Sequence, residues 1–145
     1  MRAGLVVIAA LTLAAASVGL ASAQAPERKG LSVYLTSDCN DTVGANAASA
    51  LRERIRGSNG YSLAYGPTKG HSGYEIVLTC VAIPGRAADA SAVSYVFAVV
   101  LPDEARYFVQ PGIGVVGAEG VDGWTQSVFS QFDNWVSSVL KATSN

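Results

Sequence analysis

The first 23 residues of this 145-residue chain decide how much of it is left to fold, and in which compartment. Arg2 supplies a short positive head. Leu5 to Leu13 is an apolar run, an Ala-rich stretch continues it, and Ala21-Ser22-Ala23 is a small-x-small site ahead of Gln24. This is the layout of a secretory signal peptide, cut after Ala23. With its small residues the run just reaches the ~17–25 residues that a membrane span needs. The good cleavage site, with no basic cluster directly behind it, favours removal over anchoring. No Cys sits just behind the run, as a lipid-anchored protein would require. The mature chain is therefore expected to be periplasmic or secreted, without a membrane span. Residues 24–30, polar and containing Pro26, read as a flexible lead-in. Residues 31–145 read as one domain.

Export changes the meaning of the two cysteines, Cys39 and Cys80. In an oxidising compartment an even count favours a disulfide. A zinc site would need further ligands, and His71 is the only histidine in the chain. No metal or cofactor is expected. Loss of Arg2 leaves nine Lys and Arg against eleven Asp and Glu, a net charge of −2. That balance argues against nucleic acid as a partner, which demands clustered positive charge. The one basic cluster is Arg52, Arg54 and Arg56, with Glu53 among them. It reads first as a solvated helix face; Arg52 and Arg56 are weak candidates for binding an anion.

The hydrophobic pattern gives an element order. Leu31 to Thr36 alternates strictly, as a half-buried strand does. Ser37 to Asp41 is a run of capping residues, so a helix should start there with Asp38, Asn40 or Asp41 as its N-cap. Val43, Ala47, Ala48, Leu51 and Ile55 then share one helical face. Gly57 or Gly60 is expected to end the helix in a left-handed conformation. A short strand at 61–65 and a Gly-rich loop follow. The strands at 74–83 and 91–101 are apolar on both faces, which predicts cover on both sides or at one end. Pro102-Asp103-Glu104 should turn the chain into a returning strand, 106–116, loosened by Pro111, Gly112 and Gly114. Asp122 looks like the N-cap of a last helix, whose stripe is Trp124, Val128, Phe132, Trp135, Val136 and Val139. Thr125 falls on its polar side. The order β-α-β-β-β-β-α predicts an α+β fold: a mostly antiparallel sheet of four to five strands with two helices on one face.

Motifs for chemistry are few. Gly112-Ile-Gly-Val-Val-Gly117 matches G-x-G-x-x-G in letters, but it lies late in the chain with no second βα unit behind it. Its glycines are better read as a bulge or bend. His71 sits between glycines, beside Lys69 and Ser72; a surface histidine is the plainer reading and a catalytic one the sharper. Asp38 and Asp41 complement the start of a helix; pairing with Glu75 or Asp103 as catalytic carboxylates is not selected by spacing. Phe129 lies off the last helix's stripe and is a candidate contact for a partner.

Two stretches carry a resemblance: Val33 to Cys39 running into Asp41-Thr-Val-Gly44, and Leu51 to Ser58. They resemble a group of small exported bacterial proteins. The order of strand, helix, short strand and then Tyr74-Glu-Ile-Val-Leu-Thr79 is similar to the TolB amino-terminal domain and the curli secretion lipoprotein, over roughly residues 31–118. This resemblance implies an envelope assembly or interaction module with no catalytic residues to carry over. The expected function is a non-enzymatic binding module, accessory to an envelope complex or inhibiting a partner protein. The competing expectations are a small exported hydrolase using carboxylates with His71, and a structural envelope component.

Overall fold

The computed structural model describes residues 30–83 and 90–144. The expected signal peptide, most of the lead-in and most of the loop before residue 90 lie outside the described residues. The elements are β1 (Leu31–Cys39), α1 (Thr42–Gly57), β2 (Tyr61–Ala64), β3 (Gly73–Ala82), β4 (Ala90–Val100), β5 (Arg106–Gly117) and α2 (Val121–Thr143), with a 3-10 turn at Ala118–Gly120 before α2. This is the α+β order that the hydrophobic pattern predicts. The five strands lie in the order β2-β1-β3-β4-β5. β1 runs parallel to β2 and β3, while β3, β4 and β5 form the longer antiparallel ladders.

Both helices cover one face of the sheet. α1 buries Val43, Ala47, Ala48, Leu51 and Ile55, the face read from the spacing. α2 buries Val128, Phe132, Trp135 and Val136, with Trp124 and Val139 packed partly against the same core. Thr125 is a correction: it is fully buried rather than on a polar face, because it points toward α1. Aromatic rings fill the centre. Phe97 of β4 lies 5.3 Å from Phe132 and 5.7 Å from Trp135, centre to centre, and Tyr74 of β3 meets Trp135 edge-on at 5.7 Å. Such offset and edge contacts suit the ring quadrupoles and add about 0.5–1.5 kcal/mol each to simple burial.

The expected disulfide joins Cys39 and Cys80, with Cα atoms 4.5 Å apart. Cys39 does not follow β1 at a distance, as the capping run suggested. It is the last residue of β1, directly opposite Cys80 in the β1–β3 register. The strand continues because Ser37 and Cys39 keep the alternation, and only Asp41 caps the helix, its Oδ1 accepting from the Gly44 N–H at 2.8 Å. Gly44 in turn lies on the bridge. A Cβ there would sit 2.5 Å from Cys80 Cβ and 2.8 Å from Cys80 Sγ.

The helix ends differ from expectation. α1 stops without a left-handed glycine: Ser58, extended at φ −84, donates from both its N–H and its hydroxyl to Ile55 O. α2 starts one residue before Asp122, with Gly120 at its N-cap and no side-chain cap; Asp122 lies in the first turn. The β5 ladder is irregular opposite Phe97 and Ala98, where Val109 is the extra residue, and not at Pro111, Gly112 or Gly114. Gly112 instead makes room for the Tyr95 ring, and Gly114 for the Trp124 indole, both on the helix face. Pro111 fits because β5 is an edge strand, where a missing N–H need not cost a ladder bond.

Two stability measurements check this packing. Gly44→Ala gains about 1 kcal/mol of helix propensity, but the overlap with Cys80 should cost about 1–3 kcal/mol; chemical denaturation is expected to show a net loss. Trp135→Ala should cost about 3–5 kcal/mol, as deletion of a large core aromatic does; an unchanged midpoint would place the ring outside the core.

Candidate interaction surface

The residues singled out as candidate sites are not gathered in one place. Arg52 Nη2 donates to Ser37 Oγ at 2.8 Å, tying α1 to β1, and Arg56 pairs with Glu53 one turn back along the exposed side of α1. Arg54, between them, reaches across to α2: its Nε donates to Thr125 Oγ1 at 3.2 Å, and its outer nitrogens meet Gln126 and the Asp122 carboxylate. The basic cluster is thus spent largely on joining α1 to its neighbours. Phe129 is half-buried and stands edge-on to Tyr61, 5.9 Å between ring centres, so it belongs to the packing between β2 and α2.

His71 is exposed in the connection between β2 and β3, a stretch, Tyr65 to Ser72, that holds no carboxylate. The carboxylates weighed for catalysis serve separate tasks. Asp41 caps α1 and accepts from the buried Ser91 hydroxyl at 3.0 Å. Asp38 accepts from Asn40, and Asp103 from the Ala105 N–H inside the β4–β5 turn. Glu75, only 1% exposed, takes hydrogen bonds from Thr36 Oγ1 at 2.7 Å and Arg106 Nε at 2.5 Å. No group of three or more metal-ligating side chains lies together among the described residues. None of the described helices is long and apolar enough to cross a membrane.

Glu75 marks a division of the outer sheet face, the one turned away from the helices. Alternation puts Tyr34, Glu75, Ala98 and Val100 on that face, and all four are buried. They lie near the start of β3, where the connection from β2 must pass β1. That connection meets the β4–β5 turn, the Gly70 N–H donating to Pro102 O at 2.7 Å. Toward the far end of β3 the same face is open. Successive rows across β3, β4 and β5 are Thr79, Ser94 and Ile113, then Val81, Ala92 and Val115. Ile113 is 81% exposed, Val115 68% and Val81 62%. The double-sided apolar character of β3 and β4 is therefore matched by cover at one end only, and the other end presents large apolar side chains to solvent.

The sequence did not point to this surface. The returning strand at 106–116 was legible, but nothing in it says that β5 is an edge or that none of the described elements covers its outer side chains. Nor is Arg106 foreseeable as the partner of Glu75, which depends on the β4–β5 turn placing both on one face.

Three grooves are shallow. One of about 340 Å³ runs between β5 and α2, lined by Gln110, Gln131, Asn134, Trp135 and Ser138. Another, of about 290 Å³, lies where the end of α2 crosses the starts of β1 and β3. A third borders Gly117 to Gly120. None brings His71 together with a carboxylate.

No protein-family model matches the chain, and no curated protein matches it in sequence. Among solved structures, the chain is similar to a PelC dodecamer from Paraburkholderia phytofirmans at a TM-score of 0.43 and 12% identity, over 72% of this chain and 84% of that one. A likeness this distant bears on neither partner nor activity.

The Glu75 cluster yields a further test. Arg106→Ala would leave a buried carboxylate with Thr36 as its remaining partner, and stability is expected to fall by about 1–3 kcal/mol, the cost of an under-satisfied buried group. Thermal melts of the two proteins measure it.

Proposed function

We propose that this protein is an exported, non-enzymatic interaction module, periplasmic or secreted, that docks a protein of the cell envelope on the open half of its outer sheet face. The observation that supports this reading is the group of exposed apolar side chains on that face, Val81 on β3 and Ile113 and Val115 on β5, with Ala92 of β4 between them. Scattered single apolar residues are ordinary on a surface, but contiguous ones mark places where another surface sits. The patch is uncharged and borders none of the three grooves, and such a surface suits a protein partner better than a small ligand, which prefers a concave site. The Cys39–Cys80 bridge suits an oxidising compartment, as does the signal-like start of the chain. Residues 1–23 are the proposed signal peptide and 31–145 the proposed single domain.

The competing reading, a hydrolase built on His71, gains no support from geometry that ties each weighed carboxylate to a structural partner. Capture experiments on envelope extract separate the two. The mature protein carrying His71→Ala should retain the same bound proteins as the unaltered one. Val81→Lys, which places a charge in the middle of the open half, should release them while leaving the melting temperature near its original value. Retention of the same proteins by Val81→Lys would overturn the assignment of this face.

A further inference from the structure

We infer that the groove between β5 and α2 binds a neutral saccharide chain laid along it. The site is on the helix side of the sheet, apart from the open outer face, and does not depend on the docking reading.

The groove arises from the way α2 follows β5. Trp124 stands over Gly114. Further along the helix, Gln131 accepts from the hydroxyl of Tyr95, which pairs with Gly112. Trp135 then lies beside Phe97, which pairs with Gln110. The helix therefore runs antiparallel to β5, with the groove of about 340 Å³ between them. That volume is at the lower end of the ~300–1,000 Å³ range of ligand sites. From Gln131 to Ser138 the helix rises about 10 Å, the length of two linked hexose rings. Beyond Trp135, Val139 and Leu140 border the next groove together with Val99. The ladder sets Tyr107 opposite Val99, on the helix face, where it is 60% exposed. Because Val109 is the extra residue, Gln110 follows Tyr107 as the next side chain on that face.

The lining is polar and uncharged: Gln110, Gln131, Asn134 and Ser138, with Trp135. The side-chain amides of Gln110 and Asn134 and the indole N–H of Trp135 make no hydrogen bond among the described residues. No buried side-chain nitrogen or oxygen among those residues lacks a partner, so these groups meet water. Gln131 is held in place, its Oε1 accepting from Tyr95 at 2.8 Å and its Nε2 donating to Ser127 at 3.3 Å. An amide fixed in advance loses little freedom on binding. Each amide both donates and accepts, and so matches a sugar hydroxyl, which does the same. The flat ring of Tyr107 offers a face to the C–H side of a sugar ring. A charged ligand finds no counter-charge in the lining; Lys141 comes three residues past Ser138. An extended peptide fits less well. Pro111 and the Val109 irregularity interrupt the ladder it would need to join β5. Nor is there an apolar pocket for its side chains, since Trp135, the one apolar member of the lining, is 8% exposed.

Amide correlation NMR of the isotope-labelled mature protein tests the assignment. The chain has two tryptophans, so the indole signals of Trp135 and Trp124 can be followed separately. The probes are cellotetraose, maltotetraose and N-acetylchitotetraose, with tetragalacturonate and an uncharged glycine–serine tetrapeptide beside them. At least one neutral sugar should saturate the protein with a dissociation constant on the order of 1 mM, as a shallow site that leaves much of the ligand in water allows. The Trp135 indole and the side-chain amides of Gln110, Gln131 and Asn134 should shift, and the Trp124 indole should shift less. Gln110→Ala and Asn134→Ala should each weaken binding roughly 3–10-fold, the loss of one neutral hydrogen bond, with the rest of the spectrum unchanged. Absence of a saturable shift with every neutral sugar overturns the inference. So does saturation by tetragalacturonate or the tetrapeptide alone, a set of shifts centred away from Trp135, or unchanged affinity in both variants. The groove and the docking face are on opposite sides of the sheet, so envelope capture judges the second whatever this titration shows.

Discussion

The close approach of Gly44 to the Cys39–Cys80 bridge fixes where the helix layer meets the sheet, and much of the fold depends on it. The bridge joins the ends of two strands already paired in parallel. In the chain-entropy account, closing a loop of this length restricts the unfolded chain by about 4 kcal/mol, a large share of the 5–15 kcal/mol typical of a whole domain. Gly44 lets the first turn of α1 lie directly on it. Asp41 then performs two tasks with one carboxylate, accepting from Gly44 and from the buried Ser91 of β4. The start of α1 is thereby held over β1, β3 and β4 together. At its other end Arg54 reaches α2, so the second helix is positioned through the first.

The open face follows from how few of the described residues remain once that layer is built. Two helices suffice to cover one side of five strands, and only Tyr65–Ser72 and the β4–β5 turn are left to cover part of the other among the described residues. They meet at one end, where Tyr34, Ala98 and Val100 are closed off. Closing that end also traps Glu75. A carboxylate buried so deeply is tolerable only with charged or hydrogen-bonded partners, and Thr36 and Arg106 supply both. Among the described residues the far end receives no such cover, and Val81 and Val115 remain exposed although they alternate as regularly as the residues buried on the helix face.

What was legible in the sequence is what depends on local pattern. The stripes on α1 and α2, the strand alternation and the pairing of two exported cysteines all follow from spacing or count. What was not legible depends on which element becomes a neighbour. The capping run Ser37 to Asp41 offered three starts for α1. The strand outlasts the first of them, Asp38, and ends at Cys39, which lies opposite Cys80, 41 residues away. Thr125 and Arg54 looked like surface residues on two separate helices, and only the crossing of those helices makes them partners. Phe129 looked free until β2, whose edge position no local pattern reveals, placed Tyr61 beneath it.

The glycines of 112–117 show the same dependence in its strongest form. Their spacing imitates a nucleotide-binding loop, yet each of the first two answers an aromatic ring: Tyr95 lies over Gly112 and Trp124 over Gly114. Tyr95 could not remain buried with its hydroxyl directed to Gln131 if position 112 carried a side chain. The requirement for small residues on the helix side of β5 has a consequence on the other side. With Gly112 and Gly114 on the helix side, the apolar bulk of this stretch falls to Ile113 and Val115, which alternation turns outward. The packing that seats two rings in the core is thus also what leaves this uncharged edge with its largest side chains exposed.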